Sequence, residues 1–295
     1  MNKDNLLTIM TPTYNRAKML PSLYESLCNQ TSNNFIWLIV DDGSIDNTKE
    51  VVNSFLKDQK IQIEYYYEVN AGKYVAHNKG VEVCSTELFV CVDSDDILLP
   101  QAVEKIENTW KSVKDNYVGG IVSPKEMDGY SYFNNPPKTC KLMDLYNSKY
   151  LVGETVLVYK SSLLKEHLFP VIPGEKFMSE SVLYNILDQK CKLFILNDYI
   201  YKAEYQEDGL TRNIQKIHWK NPRSTLLMYK SNAAYDTKFI NAAKSYGCYL
   251  AWKKIRKLPD CIENWKVSRI VQFVGVMFLP HYIKLFKEQS KEFNY

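Results

Sequence analysis

Three carboxylates, Asp93, Asp95 and Asp96, directly follow an apolar run at residues 88–92. The run is typical of a strand buried on both faces, and open α/β sheets bind ligands at the carboxyl ends of such strands. Carboxylates this dense repel one another unless a cation or hydrogen-bond donors lie among them. Hard oxygen ligands suit Mg²⁺ or Mn²⁺ bound jointly with phosphate oxygens. The residues therefore predict a metal-assisted phosphate site, with a solvated acidic turn as the alternative.

Two other predicted strands also end in polar residues. The apolar strand at residues 6–10 runs into a polar loop at 11–16, and the strand at 35–40 runs into 41–44. Helically spaced apolar residues follow each strand, and residues 61–69 alternate as a third strand. This β-α-β-α order implies a mostly parallel sheet with helices on both faces, whose strand ends share one rim. We therefore expect the three polar clusters to form one site.

Composition describes an ordinary globular chain of 295 residues, 45% hydrophobic and 24% charged, with one or two domains expected. The seven cysteines form no C-x-x-C pair, which favours reduced thiols and a cytoplasmic location. The first residues lack the apolar core of a signal peptide. Because no run of 18 apolar residues occurs, we expect no membrane-spanning helix.

Four motifs occur in order along the chain: Pro-Thr-Tyr-Asn-Arg at 12–16, Val-Asp-Asp-Gly-Ser at 40–44, Asn-Ala-Gly-Lys at 70–73 with Asn-Lys-Gly at 78–80, and Asp-Ser-Asp-Asp at 93–96. The ordered set resembles the family 2 glycosyltransferases. The resemblance implies an α/β GT-A fold, Rossmann-like, with a mostly parallel sheet covered by helices and a C-terminal helical extension. It also implies inverting transfer of a sugar from a nucleotide donor, in bacterial polysaccharide synthesis, with Mn²⁺ or Mg²⁺.

The resemblance divides the chain into three parts. Residues 1–123 correspond to the nucleotide-sugar-binding half of the GT-A domain and residues 124–211 to its acceptor-binding half. Residues 212–295 are then a helical extension. This last segment holds 16 Lys or Arg and 5 Asp or Glu, a net charge of +11, whereas residues 1–211 carry −8. The extension is therefore expected to differ from the rest of the chain in its electrostatic potential and its interactions.

The family's Asp-x-Asp motif is matched by Asp93, Ser94 and Asp95. The resemblance implies that Asp95, with Asp93, holds the metal, and that Asp93 and Ser94 belong to the nucleotide site, with Asp93 on the ribose. Asp96 is expected only to cap the following turn.

The family's nucleotide-base pocket maps onto Pro12, Thr13, Tyr14, Asn15 and Arg16, with Asp41 and Asp42. A carboxylate can accept the imide N–H of uracil, and the flat base can pack on Tyr14 or Pro12. One of the two aspartates is expected to bind the base and the other to hold a turn, and the residues leave open which does which.

The third motif contributes Lys73 and Asn78 to the expected nucleotide site. Lys73 can offset the charge of the donor phosphates. His77 is expected to be a helix-surface histidine rather than a ligand contact.

An inverting transfer needs a base that faces the acceptor hydroxyl. Relatives carry a carboxylate pair at the start of a helix, and here that position holds Glu180, with Ser181 in place of the second acid. Glu180 is therefore the candidate base, the alternative being a favourable charge in a first helical turn. Glu175 is the second candidate, and the role of Asp208 stays open. The Q-x-x-R-W signature of processive relatives is missing, which favours addition of single sugars.

The extension carries an apolar stretch at 270–279, flanked by Lys266, Arg269, Lys284 and Lys287. The stretch is too short to span a bilayer, but a basic amphipathic helix can lie on anionic lipid. This predicts peripheral docking on the inner face of the plasma membrane, where a lipid-linked acceptor would lie. The alternative is that the stretch packs on the catalytic part or forms a homo-oligomer.

Other classes of protein fit less well. No G-x-G-x-x-G follows the first strand and no P-loop occurs, which argues against dinucleotide oxidoreductases and P-loop proteins. The basic extension lacks RRM, KH and zinc signatures, so nucleic acid is not an expected partner. A non-catalytic nucleotide- or carbohydrate-binding protein of the same fold stays open. The expected partners are a UDP-sugar donor, whose sugar the motifs do not report, and a saccharide or lipid-linked acceptor.

Overall fold

The computed structural model describes residues 5–113, 118–127, 131–203, 213–261 and 263–293. The chain forms two compact units. The first comprises Met1–Leu168 and Lys190–Glu207, and the second comprises Phe169–Gln189 and Asp208–Tyr295. The three-part division made from the sequence stays a prediction.

The first unit is built on a mixed sheet. The strands of this unit are β1 (Leu7–Thr13), β2 (Phe35–Asp41), β3 (Ile63–Tyr67), β4 (Leu88–Cys91), β5 (Ile97–Leu98), β6 (Val118–Glu126), β7 (Tyr132–Phe133), β8 (Thr139–Cys140), β9 (Leu151–Val152), β10 (Thr155–Lys160), β11 (Lys192–Ile195) and β12 (Tyr201–Lys202). Strands β7 and β9 form a separate antiparallel pair, and the others form the mixed sheet. The main path runs β3-β2-β1-β4-β10-β6-β11-β8. The first four of these strands pair in parallel, and β10 is antiparallel to both its neighbours.

Helices cover both faces of the parallel half, as the apolar runs predict. The helices of this unit are α1 (Leu20–Cys28), α2 (Thr48–Asp58), α3 (Lys73–Val83), α4 (Ala102–Val113), α5 (Leu142–Asn147) and α6 (Ser161–Glu166). On β1, Ile9 joins the core cluster that contains Leu20 of α1. Its neighbour Met10 points to the other face, where it lies against Gly80 of α3. Because successive side chains alternate, every residue of β1 and β2 is buried.

Parallel register brings the polar strand ends to one edge of the sheet. Thr13 pairs with Asp41 across β1 and β2, and Met10 pairs with Cys91 across β1 and β4. The loops that follow these three strands therefore begin side by side. The arrangement positions the three polar clusters at one rim.

The second unit is helical over its described residues. It contains α7 (Ser181–Lys190), whose last residue belongs to the first unit, and α8 (Ile214–Lys220), α9 (Pro222–Tyr235), α10 (Phe239–Arg256) and α11 (Arg269–Glu292). Its core is aromatic: the Trp252 ring lies edge-on to Trp219 at 4.8 Å and to Phe286 at 5.1 Å. The mostly helical extension expected from the sequence is confirmed.

Helix α10 and helix α11 run in the same direction. A Cβ at Gly275 would lie 2.8 Å from the Ala243 carbonyl oxygen, and one at Gly247 would lie 2.8 Å from the Phe278 side chain. The glycines therefore permit close backbone approach early in both helices, and Trp252 meets Phe286 further along. Residues later in α10 contact residues later in α11, so the two helices are parallel.

Helix α11 corrects the expectation that no segment is long enough to span a bilayer. It runs unbroken for 24 residues through Pro280, and its most apolar 18-residue window has a mean hydropathy of 1.2. By length and composition it is the one described helix that could cross a membrane, and 17% of that window is buried. The apolar stretch at residues 270–279 underestimates the length of the helix, because the helix continues beyond it through polar residues.

Candidate active site

The loops after β1 and β2 are joined by hydrogen bonds. The Asn15 backbone N–H donates to Ser44 Oγ at 2.8 Å, and the Ile45 N–H donates to Asn15 Oδ1 at 2.8 Å. Asn15 adopts a positive φ of 54°, a conformation that Asn tolerates better than most residues. The Arg16 N–H donates to Thr48 Oγ1 at 3.3 Å. The two sequence motifs thus form one connected rim.

Asp41 and Asp42 both hold the loops around them. Asp41, with 0% exposure, accepts from the Ser44 N–H and the Tyr65 hydroxyl, each at 2.8 Å. Asp42, with 5% exposure, accepts from the Ala71 and Gly72 N–H groups at 2.7 and 2.8 Å. Each carboxylate therefore has a structural role, and the slight exposure of Asp42 distinguishes the two.

Gly43 makes this packing possible. Its φ is +79°, and an added Cβ would lie 2.7 Å from the Asn70 backbone nitrogen. A side chain at this position would be strained and would push apart the two loops that Asp42 joins.

The three acids after β4 have different surroundings. Asp93 forms an ion pair with Lys73, whose Nζ lies 2.8 Å from Oδ1 and 3.0 Å from Oδ2. Asp96 is buried and accepts a short hydrogen bond of 2.5 Å from the Tyr201 hydroxyl. Asp95 is half-buried, and its carboxylate makes no hydrogen bond or ion pair within the described part of the chain. Of the three acids, Asp95 is the one left available for a ligand.

Burial by itself would raise the pKa of Asp93, but the nearby Lys73 ammonium outweighs burial and lowers it, with smaller contributions from Lys125 and Arg16. Burial, then the charges of Asp93 and Asp96, raise the pKa of Tyr201 well above its usual value. The phenol therefore stays protonated, and its O–H donates a hydrogen bond to Asp96. Lys125 lies over the Tyr201 ring at 5.0 Å. Lys125 thus contacts Tyr201, and Tyr201 holds the carboxylate loop through Asp96.

Sequence reasoning missed Tyr201 and Lys125. They lie on β12 and β6, which pair in parallel with Tyr201 opposite Lys125. Strand pairing brings Tyr201 to the carboxylate loop, where its hydrogen-bond partner Asp96 is 105 residues away in the chain. A buried tyrosine in a short strand carries no motif, so no local signal could have found it.

The donor set fits a divalent ion shared with a diphosphate. No group of three or more His, Cys, Asp or Glu side chains able to hold a metal is found among the described residues. Mg²⁺ sites in nucleotide enzymes use one or two carboxylates and complete their shell with phosphate oxygens and water. Asp95, with Asp93 beside it, matches that pattern. An all-protein cage would not.

The other expected nucleotide residues differ in accessibility. Tyr14 is 46% exposed, whereas Ser94 and Asn78 are buried. Thr13 Oγ1 is buried and has no hydrogen-bond partner among the described residues, so the rim contains a polar atom able to accept or donate to a ligand. His77 was expected at a helix surface, but it is buried with its ring edge-on to Phe89 at 5.3 Å. That expectation was wrong, because α3 packs this face against the sheet.

Glu175, the second candidate for the base, caps a helix. It is buried, and its oxygens accept from the Arg223 and Ser224 N–H groups at 2.8 Å and from Ser224 Oγ at 2.7 Å, at the start of α9. In return Asn221 Oδ1 accepts from the Lys176 N–H at 2.9 Å. These bonds tie the segment before α7 to α9, and they remove Glu175 as a candidate base.

Glu180 is exposed and immediately precedes α7. Its carbonyl oxygen accepts from the Tyr184 N–H at 3.0 Å, so Glu180 is the N-cap residue of that helix. Glu180 lies in the second unit and the Asp93–Asp96 loop in the first. Asp208 lies outside the described residues.

Comparison with known proteins identifies the family. The model for "Glycosyl transferase family 2" matches residues 8–165, just over half of the chain and all of the polar rim. This chain belongs to glycosyl transferase family 2.

One curated relative of this glycosyltransferase is glycosyltransferase GlyG of Streptococcus pneumoniae. The two are 25% identical over 268 residues, which cover 82% of this chain and 88% of GlyG. The similarity therefore extends beyond the family match into the second unit.

Two solved structures share the fold. S. aureus TarS 1-349 in complex with UDP-GlcNAc aligns with a TM-score of 0.58 at 18% identity, over 95% of this chain and 81% of that one. The mannosyltransferase PcManGT from Pyrobaculum calidifontis, in complex with GDP-Man and Mn²⁺, aligns with a TM-score of 0.53 at 16% identity, over 98% and 80%. The expected GT-A-like fold of this glycosyltransferase is confirmed.

Proposed function

We propose that this glycosyltransferase moves a sugar from a UDP-sugar to a hydroxyl group of a saccharide or lipid-linked saccharide, with inversion at the anomeric carbon. The observation that carries the proposal is the state of the three acids after β4. Asp93 and Asp96 are held by Lys73 and Tyr201, while Asp95 has no partner among the described residues. An acidic turn without a ligand would not be expected to leave the half-buried Asp95 without a partner beside Asp93 and Asp96, because the like charges repel one another.

The nucleotide would bind along the rim formed by the loops after β1 and β2. Tyr14, nearly half exposed, offers a flat face for the base beside Pro12. Asp42 is the better candidate to accept the uracil imide N–H, because it is 5% exposed whereas Asp41 is wholly buried; both carboxylates also accept hydrogen bonds from the loops. Thr13 Oγ1 supplies a further polar contact. Arg16 and Lys73 add positive charge for the phosphates.

A divalent cation would be held by Asp95, with Asp93 beside it, and would neutralise charge on the departing diphosphate. Lys73 lies within bonding distance of Asp93 and can share that task. Support comes from PcManGT, which carries GDP-Man with Mn²⁺. Mg²⁺ has the same ligand preference.

We assign the base to Glu180. Its carboxylate would take the proton of the acceptor hydroxyl as that oxygen bonds to the anomeric carbon and the bond from the carbon to the diphosphate oxygen breaks, releasing UDP. Exposure at the start of α7 leaves the side chain accessible, and Glu175 is committed to α9. An α-linked donor would then give a β-linked product.

The choice of donor nucleotide follows from the base pocket, and the choice of acceptor follows from the family. TarS carries UDP-GlcNAc and PcManGT carries GDP-Man, so relatives of this fold use more than one base, and we favour UDP because an aspartate suits uracil. We propose a glycan acceptor of the kind used in bacterial polysaccharide synthesis, with the reaction in the cytoplasm. A thermal-shift screen of UDP-, GDP- and dTDP-sugars would select the donor.

The decisive experiment measures Mn²⁺-dependent binding of UDP by calorimetry and release of UDP from UDP-sugars. The wild type should bind UDP more tightly with Mn²⁺ than without it. Asp95→Asn should abolish that gain, because it removes the anionic ligand and leaves the Asp93–Lys73 pair intact. The matched control is Asp144→Asn, an exposed acid on α5, which should behave as wild type.

Unchanged metal-dependent affinity in Asp95→Asn would remove Asp95 from the metal site. UDP binding without any transfer to a panel of saccharide acceptors would favour the second candidate function, a non-catalytic nucleotide-binding protein of this fold. The replacement of the second acid by Ser181 is the feature that keeps that candidate open.

A further inference from the structure

We propose that the start of the α10–α11 pair docks onto an anionic lipid surface, with the apolar side chains of α11 entering the headgroup region. The proposal does not depend on the sugar transfer proposed above. It rests on one face of α11, which we call the α11 stripe. The stripe consists of residues spaced three or four apart: Ile270, Phe273, Met277, Pro280, Lys284, Lys287 and Lys291.

The first half of the α11 stripe is apolar and exposed. Ile270 is 68% exposed, Phe273 76% and Met277 72%. Residues at i, i+3 and i+7 share one side of a helix, so these side chains form a continuous row. Three large apolar residues exposed in a row are unusual on a free surface and mark a place of contact.

The second half of the same stripe is basic. Lys284, Lys287 and Lys291 continue the face that Ile270 begins, and all three are exposed. The stripe thus changes from apolar to cationic along the helix axis. A partner that offers an apolar layer next to a layer of negative charge fits this order, and an anionic bilayer has both layers.

The first turn of α10 extends the apolar surface. Because the helices are parallel and Ala243 lies beside Gly275, the first turn of α10 lies at the same end of the pair as Ile270. Phe239 and Ile240 in that turn are each nearly half exposed. Lysines and an arginine stand around this end, all exposed: Lys238, Lys244, Lys266 and Arg269.

The charge balance of the region favours an anionic surface over a second copy of this chain. Residues 212–295 carry a net charge of +11, and the acids on α11 itself are Glu288 and Glu292. Each Lys or Arg near an anionic membrane adds favourably to binding, whereas two copies of this surface brought face to face would repel each other.

The opposite face of α11 argues for lying on the membrane rather than crossing it. Val271, Gly275 and Phe286 are buried against the rest of the unit, and Phe286 belongs to the aromatic core with Trp219 and Trp252. Insertion of the whole helix would expose that core and separate α11 from α10. Docking through the exposed stripe keeps the packed pair intact.

The experiment is co-sedimentation of the full-length protein with vesicles at low and high salt. We expect binding to phosphatidylcholine vesicles that contain phosphatidylglycerol, little binding to pure phosphatidylcholine, and loss of binding at high salt. Replacement of Lys284, Lys287 and Lys291 by Gln should weaken partitioning on the order of 10- to 100-fold. The matched control replaces Lys49, Lys57 and Lys60, exposed lysines on or just after α2, by Gln, with the same change in net charge and no expected loss.

A second variant tests the apolar half. Phe273→Ser with Met277→Ser should reduce binding to anionic vesicles at least tenfold, because it removes the side chains that enter the headgroup region. Val171→Ser, at another exposed apolar residue of the second unit, should leave binding unchanged. The circular dichroism melting curve of each variant should match that of the wild type, since the replaced residues are exposed.

Four results would overturn the proposal. The protein could stay in the supernatant with anionic vesicles at low salt, or both stripe variants could bind as well as the wild type. Light scattering could show a dimer that Phe273→Ser with Met277→Ser converts to a monomer, which would assign the stripe to a second copy of the chain. Resistance of bound protein to high salt and alkaline carbonate would instead indicate that α11 crosses the bilayer.

Discussion

Two short acidic segments, Asp93–Asp96 in the first unit and Glu175–Glu180 in the second, use carboxylates in contrasting ways. In the first segment all the acids lie within four residues, and partners from distant strands and helices separate them: Lys73 holds Asp93 and Tyr201 holds Asp96. In the second, burial separates them, since Glu175 caps α9 and Glu180 is exposed.

The contrast shows that the role of a carboxylate depends on what pairs with it. A buried acid whose oxygens both accept hydrogen bonds stabilises the fold and is poorly placed to take a proton from a substrate. An acid that is exposed or half-buried, as Glu180 and Asp95 are, can reach a proton or a cation. Substitutions that remove one negative charge from each kind of acid should therefore give opposite patterns in activity and in stability.

The largest effect is expected for Glu180→Gln. If Glu180 is the base, turnover should fall by a factor on the order of 10²–10⁴, while UDP affinity and stability stay near wild type. Steady-state release of UDP measures turnover, and calorimetry measures UDP affinity. Glu166→Gln, an exposed acid on α6, is the control and should keep full turnover.

A Glu180→Gln variant with near-normal turnover would move the base to another carboxylate and break the contrast in the second segment. An NMR spectrum of the product separately checks the stereochemistry. A retained anomeric configuration would refute the inverting mechanism.

Glu175→Gln should have the converse effect. The amide places an NH₂ group where the carboxylate now accepts from Arg223, Ser224 N–H or Ser224 Oγ, so we expect the free energy of unfolding to fall by about 1–3 kcal/mol. Urea denaturation measures it, with Glu180→Gln as the comparison, where less than about 0.5 kcal/mol is expected. Equal losses in the two variants would show that capping by Glu175 is not what distinguishes them.

The smallest effect concerns Asp93, which stands between the two kinds of acid. Its pKa is lower in the folded protein, burial being outweighed by Lys73. The pair therefore adds stability above the ordinary value of 3.8, and that stability is lost as the pH falls through the lower folded pKa. Because both side chains are about one-third exposed, 38% and 35%, Lys73→Gln should cost only about 0.5–1 kcal/mol at pH 7.

The difference between wild type and Lys73→Gln should shrink in urea titrations repeated below pH 3.8. Lys60→Gln, which loses a more exposed ion pair with Asp58, should show a smaller difference at every pH. A Lys73 effect that stays constant with pH would assign it to lost packing of the lysine stem rather than to the ion pair.

Much of the fold could be predicted from the sequence because it depends on local patterns. Apolar runs at residues 35–40 and 88–92 became β2 and β4, and helical spacing after Pro100 became α4. Parallel order then required the polar loops to share a rim. The position of β10 beside β4 in the sheet could not be predicted in this way, because the two strands pair antiparallel although they are far apart in the chain.

The candidate site was predictable in its residues and much less in their roles. Tyr201, Lys125 and the buried position of His77 follow from contacts between elements far apart in the chain. The division of duties between Asp41 and Asp42 depends on which oxygens the loops use, which spacing does not report. In the same way α11 proved longer than its apolar stretch, because helix length is set by backbone hydrogen bonds and packing on α10 as well as by hydropathy.

The sequence by itself determined the strand and helix order, the polar rim, the family resemblance later confirmed, and the charge contrast between residues 1–211 and 212–295. These are properties of local periodicity and composition, which any contiguous stretch of chain carries with it. Only the tertiary structure decided that Asp93 meets Lys73, that Asp96 meets Tyr201, that Glu175 caps α9 and that one side of α11 is left exposed. Those outcomes depend on which groups become neighbours when buried polar atoms must find partners, and that is settled across the whole packed chain.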